Sequence, residues 1–534
     1  MASRDHSPPR WPAVGALLIA IWAAGMCYGV GSPALAHQAL TTYEGSKTCS
    51  TTECHVGKAA EVHGSVHYQW QGPTPGVPNL AGQIAGKWGS INNFCTYPNF
   101  NFLFQMTNLA GATVVTGCGS CHAGRGLPPS PIATLEQLNN IDCLICHSDL
   151  YKRVGAILPN SQPGFINDPA MDISAATAAI QKTPSRATCL TRCHVSAGGG
   201  PGFKQGDIDP LQLDPPRTLD VHMASVANGG PGKSCLDCHR VTNHRFAGRG
   251  NDIRETDLNA KVECLDCHAT PPHTVNNANY REINRHLARV NCTVCHIPAY
   301  ARNAQTDMLR DFTKTEEDAA SKRYEPVRTF ATNQMPAYRW FNGLSYFYEF
   351  GKPITLYPGN KFFQAYPLGD INDPNAKINA FKLHQAKLGY ILGSRQQIPI
   401  KSKVLWETGN IDQALRQGAA EMGWAVPGYS FANSQRYFSL YHEVAPKENA
   451  LQCAACHVSA GRLNFKELGY IVKTTRNGQP LCSSCHEPET ADFYTIHNKH
   501  VRGESISCTT CHNFKTAPLL GPGRIDAIYL LLGD

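Results

Sequence analysis

Cys292-Thr293-Val294-Cys295-His296 places two thiols three residues apart with an imidazole directly behind the second. On one helical turn such thiols share a face. The chain writes this arrangement ten times. Eight copies have the spacing Cys-x-x-Cys-His: Cys118/Cys121/His122, Cys143/Cys146/His147, Cys235/Cys238/His239, Cys264/Cys267/His268, Cys292/Cys295/His296, Cys453/Cys456/His457, Cys482/Cys485/His486 and Cys508/Cys511/His512. Two have longer spacers, Cys189/Cys193/His194 with three intervening residues and Cys49/Cys54/His55 with four. With 22 Cys and 22 His in 534 residues, chance predicts far fewer than one such match. A zinc ribbon closes four ligands from paired half-sites and does not demand a His after every second Cys. A disulfide framework explains an even cysteine count but not that histidine. Covalent haem attachment explains both: the thiols form thioethers to the haem vinyl groups, and the next imidazole is held under the iron as an axial ligand. The expected cofactor is haem c, about ten copies, all covalently attached.

Outward from the motifs, their density divides the chain. Residues 1–36 read as a signal peptide, 37–300 as an N-terminal region with seven motifs, 301–450 as a motif-free aromatic-rich segment, and 451–534 as a C-terminal region with three motifs. Glycine- and proline-rich linkers such as 196–202 and 210–216 separate motifs in the first region. With roughly thirty-five residues per haem, the polypeptide there cannot bury a conventional core, so the porphyrins are expected to serve as one. The motif-free segment carries Tyr338-Arg339-Trp340-Phe341 and Tyr346-Phe347-Tyr348, and the pattern predicts a helix from Asn410 to about Met422. Strong strand alternation is nowhere evident, so the expected fold class is mainly α and coil with little β structure.

The N-terminus has the pattern of an export signal. Arg4 and Arg10 precede an apolar run from Trp11 to about Val30, and small residues end in Ala34-Leu35-Ala36. Cleavage after Ala36 would start the mature chain at His37 and discard Cys27. The alternative is an uncleaved anchor, the run being near the lower spanning length. Export and covalent haem together point to the periplasm or the cell exterior. The formal charge of +7 does not indicate nucleic acid. Each ferric haem with two propionates brings a charge of about −1, so basic residues here offset propionates. No Lys/Arg run stands out either.

Ten irons have twenty axial positions, and the motif histidines His55, His122, His147, His194, His239, His268, His296, His457, His486 and His512 can fill ten. Outside the motifs and the signal stand His37, His63, His67, His222, His244, His273, His286, His384, His442, His497 and His500. Nearly all lie close to a motif. His63 and His67 are four apart, on one helical face; His273 and His286 fall between two motifs, as do His497 and His500. The distal candidates are His63, His67, His222, His244, His273, His286, His442, His497 and His500. Irons with two histidines are saturated, so they relay electrons and bind no substrate. Twenty cysteines belong to motifs, which leaves Cys95 as the remaining thiol after Cys27 departs. Such a thiol is either buried and inert or kept for reactivity.

Together with the order of motifs, several signatures carry a resemblance: Val62-His63 to His67 and Trp70, Asn92-Asn93-Phe94-Cys95, Cys143-Leu144-Ile145-Cys146-His147 followed by Tyr151-Lys152, the glycine run after His194, Tyr338-Arg339-Trp340-Phe341-Asn342-Gly343, and His442-Glu443-Val444-Ala445-Pro446-Lys447-Glu448. From about Lys47 to Tyr470 the chain resembles the octaheme tetrathionate reductase family of multihaem cytochromes c. Two features depart from that family: the motifs at Cys482/Cys485 and Cys508/Cys511 are additional, and two spacers are longer. The resemblance implies that the second haem, at Cys118/Cys121, is catalytic, with Lys152 as its lysine ligand, an open opposite face and Cys95 beside it. Read without the resemblance, Lys152 is a solvated lysine in a Tyr-Lys-Arg turn. Whether His122 binds iron once Lys152 does stays open.

A lysine amine binds iron only when neutral, so such a lysine needs its pKa lowered by burial and the metal. A thiol could attack an S–S bond, and cations could hold an oxyanion; Arg153, Lys382 and His384 are the candidates for that cationic role. The expected activity is that of an exported decahaem terminal reductase of tetrathionate, nitrite or hydroxylamine. Its expected partners are a small oxyanion substrate and a redox-partner cytochrome or quinol-linked donor, without nucleic acid. Self-association is compatible with the sequence. The alternative is a non-catalytic conduit or filament cytochrome with every iron saturated.

Overall fold

The computed structural model describes residues 37–514 apart from 39, 53, 95–96, 250–256, 259, 275–282, 457–460, 473–474, 477–478 and 481–492. Among the described residues no helix is long and apolar enough to cross a membrane. The chain forms two compact units, one from 1–69 and 122–188, the other from 70–121 and 189–534.

The second unit is organised by a sheet that the sequence reading did not anticipate. Its seven strands are β1 (Thr306–Asp318), β2 (Arg323–Ala331), β3 (Ala337–Phe341), β4 (Ser345–Phe347), β5 (Lys361–Pro367), β6 (Lys377–Ile391) and β7 (Tyr429–Ser439). They run in the order β2-β1-β6-β7-β5-β4, with β3 pairing the N-terminal half of β6. The sheet is mixed: β6 is antiparallel to β7 over eleven pairs from Phe381↔Ser439 to Ile391↔Tyr429, and parallel to β1 at Gln385↔Leu309. Helix amounts to 24% and strand to 25%. The expectation of a mainly α and coil fold with little β structure is therefore wrong. The cause is burial. β6 buries Asn379, Lys382 and His384 along with its apolar residues, so its sequence shows neither a clean alternation nor an apolar run. Pro326, which argues against a strand in sequence, sits in edge strand β2 at a register shift, where a missing N–H costs little.

Two helices, α1 (Ser402–Thr408) and α2 (Ile411–Glu421), cover one side of this sheet. The helix expected from Asn410 is α2, and the Asn410 side chain caps it by accepting from Gln413 N. Ala414, Leu415 and Ala419 pack with Ala386, Leu388 and Tyr390 of β6 in one buried cluster. Gly418 permits the approach, since a Cβ there would lie 1.8 Å from the Pro399 carbonyl oxygen. A second cluster of Phe341, Tyr357, Phe363, Phe381 and Tyr437 uses the segment's aromatic residues. Each such ring contributes about 1.5–3 kcal/mol when fully buried.

The first unit has helices of four to six residues and small clusters around Tyr43, Leu144, Ile145, Tyr151 and Ala176, and around Ala59, Tyr68 and Ile141. Helices this short are not stable alone. A hairpin pairs Arg153–Ile157 with Pro163–Asn167. His63 and His67 do not share one helix, because the helix Lys58–His63 ends at Gly64 and a second begins at Val66. His63 is buried and His67 is exposed.

Candidate haem and active site

Most described motifs fold as the single turn their spacing requires. Cys292–His296 is helical and capped by the Asn291 side chain. Cys235–Cys238 carries a Ser234/Asp237 capping box, and Cys453–Cys456 forms one turn. The extra residue between Cys189 and Cys193 is absorbed by a wider π turn over Leu190–His194, which adds one residue per turn. In the first motif Cys54 is disulfide-bonded, which departs from the thioether expected of it. His457, Cys482, Cys485, His486 and Cys95 lie outside the described residues.

Cys267 departs from the expected helical turn. Cys264–Asp266 is a short 3₁₀ helix that ends one residue early, so Cys267 is its C-cap, with φ −123° and ψ −30°. A Glu263/Asp266 capping box closes the start of this turn. Residues three apart eclipse in a 3₁₀ turn, so the backbone still sets Cys264 and Cys267 on one side. Cys267 is exposed, as are Cys146, Cys238, Cys264 and Cys453. Attachment at Cys267 is therefore supported by its sequence spacing and not by a helical seat.

The histidines then meet in pairs. His273 and His296 are stacked at 6.3 Å between ring centres and 7° between planes. His239 and His442 face at 6.3 Å and 28°, His222 and His268 at 6.0 Å and 67°. In the first unit His37 meets His55 at 6.0 Å and 24°. Two metal–imidazole bonds of about 2 Å each put opposed nitrogens about 4 Å apart, hence ring centres about 6 Å apart. These gaps therefore fit an iron with two axial imidazoles. Sequence left His37 outside the distal set; its only signal was its place at the expected mature N-terminus.

The other ring nitrogen is also provided for. His147 Nδ1 faces the Gln181 carbonyl at 2.8 Å, and His239 Nδ1 faces that of Ala247 at 3.0 Å. His273 Nδ1 faces Asn284 Oδ1 at 3.0 Å, and His442 Nδ1 faces Asp207 Oδ2 at 3.3 Å. An Nδ1–H that donates to such an acceptor leaves the Nε2 lone pair for a metal. Among the described residues, no three or more His, Cys, Asp or Glu gather as a metal-ion site. The residues suit haem, which needs only two protein ligands per iron. His63, His67, His194, His244 and His286 are not among these four ring pairs.

His122 is the exception. It is fully buried, and its Nε2 donates to the Tyr68 carbonyl at 2.7 Å, with the two rings 4.7 Å apart. The nitrogen that the other rings keep for iron is here turned to the backbone. Arg153 Nη2 donates to the His122 carbonyl at 2.7 Å and Nη1 to that of Gly124 at 2.9 Å. The same guanidinium forms a buried ion pair with Asp142 at 2.9 Å, while Tyr43 and Tyr151 donate to Asp142. Arg153 is thus committed to holding the chain behind the second motif rather than standing open to an anion. Lys152, its neighbour, is exposed, with its N–H 3.0 Å from Met171 Sδ.

Lys382 and His384 come together elsewhere, in the second unit, beneath the segment that leads to Cys95. His384 Nε2 donates to Asp307 Oδ1 at 3.1 Å, and its Nδ1 accepts from Asn93 Nδ2 at 2.9 Å. Its ring lies 4.2 Å from that of Phe94. Asn93 in turn accepts from Ser434 at 2.7 Å. Arg310 pairs with Asp307 at 2.6 Å and reaches the Phe94 carbonyl. Burial opposes the Asp307 carboxylate, yet Arg310 and His384 outweigh it and hold it down at about 2. Burial lowers His384 to about 4 against the pull of Asp307, so the ring is neutral at pH 7. Lys382, brought down by burial to about 7, spends its N–H groups on Thr306 Oγ1 at 2.6 Å and the carbonyls of Phe203 and Lys204. Both residues anchor the Asn93-Phe94 segment and its surroundings. Asp307 and Arg310 escaped sequence reading because Asp307 lies 77 residues from His384, and only the pairing of β1 with β6 joins them.

Motifs also approach one another. Cys49 lies beside Cys143, and Cys264 beside Cys292. Cys193 Sγ lies 4.0 Å from the Cys121 carbonyl oxygen.

The fold and these paired imidazoles define a multihaem cytochrome c. Residues 303–460 match the family model described as bacterial cytochrome c. The fold is similar to that of octaheme cytochrome c from Shewanella oneidensis, at 26% identity and a TM-score of 0.64, over 85% of this chain and 99% of that one. The chain belongs to the same family as an uncharacterized protein of Archaeoglobus fulgidus, 32% identical over 246 residues, which are 40% of this chain and 78% of the relative.

Proposed function

We propose that the protein is an exported decahaem reductase in which the second motif is the substrate site and the other motifs relay electrons. The orientation of His122 carries this reading. A ring whose Nε2 is spent on the Tyr68 carbonyl would leave the iron of a haem attached here to be held by another residue. Lys152 is the candidate, because Arg153 beside it is bonded to the His122 carbonyl. Haem, when bound, supplies an iron that accepts electrons and offers a coordination site. The chain's own part is to turn His122 away, to hold the strand that follows Lys152 through Arg153 and Asp142, and to fix Asn93 and Phe94 through His384 and Arg310. The reading takes a small sulfur or nitrogen oxyanion or related species, such as tetrathionate, nitrite or hydroxylamine, as substrate. It takes a cytochrome or quinol-linked donor as partner.

Electron paramagnetic resonance of the purified protein tests the reading. One iron should differ from the bis-histidine set, and Lys152→Met should alter that signal alone. A protein whose irons all carry two histidines, unchanged by Lys152→Met, is a conduit and not this reductase.

A further inference from the structure

The motif at Cys508/Cys511 lies beyond the stretch that carries the family resemblance, and sequence offers it two distal histidines without choosing between them. His497 and His500 both precede it, and both follow the motif at Cys482/Cys485. The structure separates them. His497 ends the helix Phe493–His497, and its ring faces that of His512 at 6.0 Å between centres and 29° between planes. That is the gap of the four histidine pairs described above. His500 stands on the following π turn, its Nδ1 directed to the Ile496 carbonyl at 2.9 Å.

His512 is also held from the other side. It opens strand β9 (His512–Phe514), which pairs antiparallel with β8 (Tyr470–Val472) in the register Tyr470↔Phe514 and Val472↔His512. The Tyr470 ring packs at 5.5 Å from Phe465 and 6.3 Å from Trp340, and Trp340 Nε1 donates to the Leu468 carbonyl at 2.8 Å. Trp340 belongs to β3, so the strand pair ties this last motif to the sheet of the second unit.

We propose that His497 and His512 are the two axial ligands of one haem attached at Cys508 and Cys511, seated against the sheet by the β8–β9 pair. This rests on the reading that the motif carries haem, and the measurements separate the two claims. Intact mass first compares the full chain with Cys508→Ser/Cys511→Ser; equal haem content in the two proteins would remove the haem reading itself. With one haem fewer in the double variant, His497→Met is then made in both backgrounds. A methionine in place of an imidazole raises an iron's potential. In the full chain one bis-histidine signal should become a histidine–methionine signal of raised potential. In the double variant the same substitution should change no iron signal. Two results would overturn the pairing: unchanged iron signals in the full chain, or conversion of an iron when the Cys508/Cys511 haem is missing. His497→Ala with added imidazole gives a second check, since the bis-imidazole spectrum should return on addition.

Discussion

The second and seventh motifs share one pattern, Cys-x-x-Cys-His, and the structure uses their histidines in opposite ways. His296 stacks parallel to His273 across a 6.3 Å gap, and His273 is oriented through Nδ1 by Asn284. His122 has its Nε2 on the Tyr68 carbonyl, behind a backbone that Arg153 clamps. A motif therefore specifies attachment, whereas ligation depends on which nitrogen the surrounding chain leaves exposed to the iron. On the proposed function, one region saturates an iron and the other leaves a ligand position to a residue outside the motif.

The sharpest way to break this contrast is to change the outside ligand in each region. On the proposed function, Lys152→Met lowers oxyanion reduction by more than about 100-fold, because it would alter the reacting centre. His273→Met should instead raise the potential of one relay iron and leave a low-spin spectrum. Steady-state reduction assays with redox-titrated spectra read both. If His273→Met costs as much activity as Lys152→Met, the two regions do not differ in function.

The clamp behind His122 comes next in size. Arg153→Ala strands the Asp142 carboxylate, which is fully buried and shared by Tyr43 and Tyr151. Breaking a buried pair from one side costs about 3–5 kcal/mol. Thermal unfolding should show a lower transition for the first unit, and Arg153→Lys should rescue only part of it, because lysine cannot reach Asp142 and two carbonyls with one fork. An unchanged transition would mean that Arg153 does not hold the second motif.

The bracing beneath Asn93 gives a pH-dependent effect. His384 titrates at about 4 in the folded protein against 6.5 ordinarily. Between those values the unfolded chain binds the proton and the folded one does not, so stability falls as the pH drops from 6.5 towards 4. The shift corresponds to about 3 kcal/mol at full extent. Melting midpoints between about pH 7 and 4 should decline in the native protein, and more shallowly in His384→Gln. A parallel decline in both would place the titrating group elsewhere.

How much of this was legible in sequence follows from the range of the interactions. Motif spacing is local, so Cys292 to His296 could be read directly, and the Asn410 cap of α2 likewise. Even there the turn type was not legible: Cys264 and Cys267 share the spacing of Cys292 and Cys295, yet only the latter pair lies within a helix. The sheet was not legible, because β6 is buried on both faces and its neighbours β1 and β7 come from distant stretches. His122 was equally opaque: its neighbour Tyr68 lies 54 residues away, and nothing in Cys-Gly-Ser-Cys-His says which nitrogen will face the iron. Asp307 beneath His384 depended on the same long-range pairing.

The smallest effect concerns the orientation of a single ring in the seventh region. Asn284 accepts from His273 Nδ1 through Oδ1 at 3.0 Å, and its Nδ2 donates to the His273 carbonyl at 2.8 Å. Asn284→Ala removes both bonds, at about 0.5–1.5 kcal/mol for a typical one. It also removes the acceptor that makes the imidazole a stronger donor, so the iron it serves should shift to higher potential while keeping two histidines. The second region contains a matched control. Tyr68→Phe leaves the carbonyl that His122 uses, because that contact is to backbone, and should shift no iron potential through His122. If Tyr68→Phe moved a potential and Asn284→Ala did not, the assignment of ligating nitrogens in the two regions would have to be exchanged.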